Sequence, residues 1–128
     1  MFPVVGIMDD FNTFRAIYTG IDKKRRTVWS MAQAKWSLIT TCGMNAIMAD
    51  TEGNRMAAYH HASAAVIIEG VKAYAQMLYD SKEDSPYEFV PSGQKWLNQA
   101  QWDNLGAEKR EELACQYDRR VSRIRVVK

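Results

Sequence analysis

Ala64, Ile67, Ile68, Val71, Tyr74, Ala75 and Leu78 recur at intervals of three and four residues, and no other run narrows the possible folds as much. The spacing follows the 3.6-residue period of an α-helix and draws an almost complete apolar stripe along one face. It predicts a long central helix over about residues 63–79, with Ile67, Ile68, Val71 and Leu78 buried. A helix with such a face must bury it against other elements. Gly70 interrupts it at a cost of ~1 kcal/mol relative to alanine, which implies a close helix crossing that needs the missing side chain.

The partners for that face read as helices too. Phe11, Phe14, Ile17 and Tyr18 share one face, with Asp9 or Asp10 as the expected cap. Trp29, Ala32, Trp36 and Ile39 make a second stripe, expected to start at a cap on Asp22. Met44, Ile47 and Met48 suggest a short helix, and Asp50-Thr51-Glu52-Gly53-Asn54 a surface turn. Phe89-Val90-Pro91 should be extended, because a residue before proline avoids the helical region. Ser92 should cap a short helix holding Trp96 and Leu97, and a last helix over about 107–123 turns Leu113, Ala114, Tyr117, Val121 and Ile124 inward. No repeat and no strand pattern stands out. The fold expected is an all-α compact bundle of about five helices, one domain over residues 1–128. Residues 1–8 are expected to be a flexible or non-native start and 119–128 a basic tail.

With 47% hydrophobic residues and four tryptophans the chain can fill a core, which a disordered chain cannot. A formal charge of only +2 provides no global field toward nucleic acid, so any such affinity must be local. Two runs qualify: Lys23, Lys24, Arg25 and Arg26, and then Arg119, Arg120, Arg123, Arg125 and Lys128. The first is expected at a helix start, where the positive end of the macrodipole also favours an anion. Cys42 and Cys115 form no CxxC pair and read as reduced thiols packed like small hydrophobes. No apolar run reaches the ~18 residues of a membrane span, and the apolar start lacks the layout of a signal peptide. The expected location is the cytoplasm.

Enzyme chemistry is not expected. His60 and His61 are adjacent, so on a helix they point about 100° apart, and no Asp, Glu or Cys lies three or four residues away to complete a metal site. Nucleophile elbow, Walker loop and dinucleotide fingerprint are all missing. Neither metal nor cofactor is expected. Trp96 and Trp102, six residues apart in a polar segment, cannot share one face of a regular helix. Either the chain bends between them or one ring is left for a partner, and the pair is the candidate docking or stacking surface.

The segments Val66-Ile67-Ile68-Glu69-Gly70-Val71-Lys72-Ala73-Tyr74-Ala75, Phe89-Val90-Pro91 and Lys95-Trp96-Leu97-Asn98, with Trp102-Asp103 after them, carry a resemblance. So do Phe11, Phe14, Tyr18, Lys24 and Trp36. Together the pattern resembles the C-terminal region of phage and prophage replication proteins of the lambda O-like and helicase-loader kind, over roughly residues 9–104. The chain departs from it at Thr19-Gly20, where proline commonly follows the tyrosine, and between Cys42 and Met56, which reads as an insertion. Those proteins usually carry a winged-helix domain before this region, so origin recognition is not part of what the resemblance implies. It implies a small phage-derived accessory protein for DNA replication, binding DNA, a replication protein such as the helicase, or both. The alternative is a non-enzymatic protein-binding module, such as a phage inhibitor of a host defence or a helical assembly subunit.

Overall fold

The three-and-four spacing of Phe11, Phe14 and Tyr18 produces helix α1, Phe2–Ile21. It starts well before the cap expected at Asp9 or Asp10, so residues 2–8, read as a flexible start, are helical. Pro3 is tolerated there because a helix's first turn leaves its N–H groups unpaired anyway. The computed structural model describes residues 2–49 and 55–126. Helix α2 is Trp29–Thr41, α3 is Ala64–Asp80, α4 is Gly93–Asn98 and α5 is Ala107–Val126. Both expected serine caps form. Ser63 Oγ accepts from Val66 N at 3.3 Å to open α3, and Ser92 Oγ accepts from Lys95 N at 3.2 Å to open α4.

Among the described residues the architecture is an all-α bundle of these five helices, with α3 packed between α1 and α5 and α2 packed on α4. One β-hairpin is appended to it. Strand β1, Met44–Ala49, pairs antiparallel with β2, Arg55–His60, from Met44 opposite His60 to Ala49 opposite Arg55. This corrects the short helix expected at Met44, Ile47 and Met48. Alanine and methionine there favour a helix locally, but pairing across the connection supplies the backbone hydrogen bonds instead. Gly43, with φ +85°, makes the entry turn. The turn expected at residues 50–54 lies outside the described residues. No described helix is long and apolar enough to cross a membrane.

The core is aromatic. Phe14 stands 5.5 Å from Tyr18, 5.4 Å from Trp36 and 5.8 Å from Trp96, centroid to centroid, and Trp96 lies 6.2 Å from Tyr74 and 6.0 Å from Trp102. These separations fall in the range where aromatic pairs add stability beyond area burial. On α3, Ile67 and Val71 are buried as expected, whereas Ile68 and Leu78 are only half-buried. Neighbours on both flanks carry the buried arc of α3 round to Gly70 and Ala73. Ile68 is left at its margin and Leu78 in the last turn.

Gly70 does mark a close approach, but to a 3₁₀ turn, Gln101–Asp103, and not to a crossing helix. A Cβ there would lie 2.8 Å from Trp102 Cα. Arg110 holds that turn down. Its Nε donates to Glu69 Oε1 at 2.8 Å and its Nη1 to Trp102 O at 3.1 Å, with only 8% of the residue exposed. Nothing in the sequence pattern singled out this arginine, because its partners are distant in the chain.

Tyr18 ties α1 to the segment before α4, its hydroxyl donating to Pro91 O at 2.6 Å. Burial, then neighbouring Tyr74, then Asp22, hold that hydroxyl protonated far above the usual phenol range. Burial also pushes Tyr74 upward. An unfolded tyrosine ionises near pH ~10. Stability is therefore unaffected below that pH and falls as pH rises through it, since only the unfolded chain releases the protons. Tyr18→Phe is expected to lose about 1 kcal/mol at neutral pH for the missing hydrogen bond. In return it should decline less steeply than wild type above pH ~10. Urea midpoints followed from neutral to alkaline pH measure both effects, and parallel alkaline slopes would refute the assignment.

Candidate nucleic-acid interface

Four successive cations repel one another, so a fold that gathers them needs something to hold the backbone beneath them. Asp22, 6% exposed, does this. Its carboxylate accepts from Arg26 N at 3.1 Å, from Thr27 N at 3.0 Å and from Thr27 Oγ1 at 2.6 Å. The chain curls round that carboxylate, and Arg25 N closes the turn onto Asp22 O at 3.1 Å. Arg25 adopts φ +52°, a left-handed conformation that a residue with a Cβ takes only when its surroundings impose it. Lys23, Lys24, Arg25 and Arg26 are all exposed as a result.

These residues do not open a helix. They form the loop between α1 and α2, and α2 begins only at Trp29, with Val28 ahead of it. The expected cap at Asp22 is therefore corrected, as is the macrodipole contribution to the basic run. Asp22 does cap N–H groups, but those of a loop. The reason is long-range: Thr27 Oγ1 also accepts from Gly93 N at 2.7 Å, and Val28 N donates to Gln94 Oε1 at 2.9 Å. These bonds fasten the loop to the start of α4 and delay helix formation.

The loop's cations divide by role. Arg26 Nη1 donates to Val90 O at 3.3 Å, and Lys23 Nζ sits 5.3 Å above the Tyr87 ring. Both thus clasp the segment containing the 3₁₀ turn Pro86–Phe89. Lys24 and Arg25 make no side-chain hydrogen bond, ion pair or ring contact among the described residues. A surface hollow lined by Thr19, Asp22, Lys23, Arg25, Thr27 and Trp29 adjoins the loop. The Arg15 guanidinium stands 5.0 Å from the centroid of the half-buried Trp29 ring, which lines the hollow. The one acid of the loop is Asp22, and its oxygens are already taken.

The second basic run is anchored elsewhere. Arg119 is exposed, but Arg120 Nε donates to Gln76 Oε1 at 2.9 Å, and its guanidinium lies 3.9 Å over Tyr79 and 5.2 Å from Tyr117. Arg120 clamps α5 to α3, so its charge is partly committed to the fold. The backbone of the expected tail continues α5 to Val126. The side chains of Arg123, Ile124 and Arg125, and Lys128 altogether, lie outside the described residues.

Trp96 and Trp102 are 1% and 3% exposed, which corrects their assignment as a partner-binding pair. Of the two alternatives, the chain takes the bend. Helix α4 stops at Asn98, Ala100 adopts φ +51°, and the following turn folds Trp102 back against Trp96 and Gly70. The exposed ring in this part of the chain is Phe89, at 80%, while Val90 beside it takes the buried place at 2%. Phe89, expected to be extended, instead ends the 3₁₀ turn Pro86–Phe89, and the extended backbone begins at Val90.

His60 and His61 occupy different settings. The His60 ring is half-buried, edge-on to Trp102 at 6.2 Å, and His61 is exposed. Among the described residues no group of three His, Cys, Asp or Glu could hold a metal ion. Cys42 and Cys115 are free, and both are exposed instead of packed as small hydrophobes. No family model matches the chain, and neither a curated protein nor a solved structure matches it.

Proposed function

We propose that this protein is a non-enzymatic accessory factor of phage-type DNA replication that binds nucleic acid through the loop bearing Lys23, Lys24, Arg25 and Arg26. The observation that carries the reading is the pair Lys24 and Arg25, exposed and without side-chain partners among the described residues, on a loop locked by the buried Asp22. Cations that stabilise nothing within the chain are available to phosphates, and a preformed loop spends little entropy in presenting them. Arg119, and Arg123 and Arg125 further along α5, would assist.

The clean test replaces only Lys24 and Arg25 with alanine, because Lys23 and Arg26 also hold the neighbouring segment. Wild type should bind DNA at low salt, with affinity falling steeply as salt rises. The double variant should bind more weakly, its log–log salt slope reduced by up to ~0.9 per lost phosphate contact on duplex. Wild type showing no binding at low salt would end the reading.

One observation favours the alternative, a protein-binding module. Val28, Met31 and Leu38 lie at spacings of three and seven on and just before α2, and are 46%, 49% and 45% exposed. An interface built on that apolar face would respond little to salt, which separates it from the nucleic-acid reading.

A further inference from the structure

We infer that the nucleic acid taken by this surface is a single strand, with a base stacked on Phe89 while Lys24 and Arg25 hold the adjoining phosphates. The inference rests on the basic loop being the phosphate-contacting element. It adds the substrate class, and a residue remote from that loop in sequence.

Charge and ring belong to one rigid surface. Arg26 grips Val90 O at 3.3 Å, Lys23 covers the Tyr87 ring at 5.3 Å, and Tyr18 holds Pro91 O at 2.6 Å. Phe89 lies between these anchored positions as the last residue of the turn Pro86–Phe89, which Ser85 leads into at φ +52°. Its backbone is therefore pinned on both sides while 80% of the residue faces solvent. The two other rings near the loop are partly closed by cations, Tyr87 by Lys23 and Trp29 by Arg15. Phe89 alone of the three stands open.

An open ring on a segment fastened to a loop of exposed cations is an arrangement suited to unpaired bases. Single-strand binders combine a positive track for the backbone with aromatic faces for stacking, and stacking tolerates any base because every base has a π-face. In a duplex the bases are already stacked inside, so Phe89 would gain nothing from it. The acids of the same segment, Glu83, Asp84 and Glu88, are exposed as well. They oppose the dense, rigid double row of phosphates in a duplex more than a flexible single strand, which can route its backbone along the cations.

The experiment measures anisotropy of a labelled oligo-dT and of a duplex of the same length at low salt, with wild type, Phe89→Ala, Phe89→Trp and the Lys24→Ala/Arg25→Ala double variant. Phe89 is 80% exposed, so its replacement should leave the fold intact. The single strand should bind more tightly than the duplex. Phe89→Ala should lower single-strand affinity about tenfold while leaving duplex affinity and the salt slope unchanged. Phe89→Trp should restore it. The loop variant should weaken both forms. If Phe89→Ala leaves oligo-dT affinity unchanged, or the duplex binds as tightly as the single strand, the inference falls, while the basic-loop reading stands as long as the loop variant still weakens binding. Absence of binding to either form overturns both.

Discussion

Replacing Trp96 with alanine is expected to remove about 3–5 kcal/mol of stability, the range for deleting a buried large aromatic. For a domain whose total is on the order of 5–15 kcal/mol, that is enough to leave much of the population unfolded near body temperature. Trp96 is the hub of the aromatic core. Its ring lies within 6.2 Å of Phe14, Tyr18, Tyr74 and Trp102, centroid to centroid, joining residues from α1, α3, α4 and the 3₁₀ turn. The site is poorly placed to collapse after truncation. A cavity of about 100 Å³, lined in part by Gly70, Tyr74, Met77, Trp96 and Trp102, already adjoins the ring, and removing the indole would enlarge it. Trp96→Phe keeps an aromatic partner for each neighbour and should lose roughly half as much or less. Urea unfolding of both variants measures the difference. A loss below about 0.5 kcal/mol in the alanine variant would show that these rings do not form the core.

Gly70→Ala should also destabilise, by a net 1–3 kcal/mol or so, even though alanine is the better helix former by ~1 kcal/mol. The added Cβ would meet Trp102 Cβ and lie 2.8 Å from Trp102 Cα. Neither atom belongs to a side-chain end that can swing away, so the 3₁₀ turn itself must move. That displacement pulls Trp102 O from Arg110 Nη1, now at 3.1 Å, and loosens the Arg110–Glu69 pair at 2.8 Å. The substitution should therefore lower the denaturation midpoint and be strongly coupled to Arg110→Ala in a double-mutant cycle. A neutral or stabilising result would mean that helix and turn do not approach closely, and the usual propensity would then govern.

Both predictions concern places where sequence reading stopped partway. Gly70 is legible as a glycine that needs its smallness, since inside a strong helical stripe it has no local purpose. What crowds it is not legible, because Trp102 reaches it only through a bend at Ala100 in the left-handed region, a conformation few residues other than glycine adopt. The same bend decides that both Trp96 and Trp102 are buried. Read as a continuous helix, the segment leaves one ring outside.

The candidate site divides in the same way. The four cations at 23–26 are visible in the chain, but their setting is not. Asp22 has the right chemistry to cap N–H groups, and a reading limited to near neighbours assigns it a helix. Only Gly93 and Gln94, far along the chain, show that residues 23–28 are held as a loop by bonds to Thr27 and Val28. Phe89 is the sharper case. It sits beside Val90, and which of the two apolar neighbours turns inward depends on how Arg26 and Tyr18 grip the carbonyls of Val90 and Pro91.

What the chain determined by itself is local: the three-and-four stripes of α1, α2 and α3, the serine caps at Ser63 and Ser92, and hence an all-α bundle. Each of those signals is complete within about one helical turn, so neighbouring residues suffice to produce it. The tertiary structure decided the pairing of Met44–Ala49 with Arg55–His60, the loop that presents Lys24 and Arg25, the burial of both tryptophans and the exposure of Phe89. In each of these the local preference is weak or points elsewhere, and hydrogen bonds or packing between residues distant in sequence outweigh it.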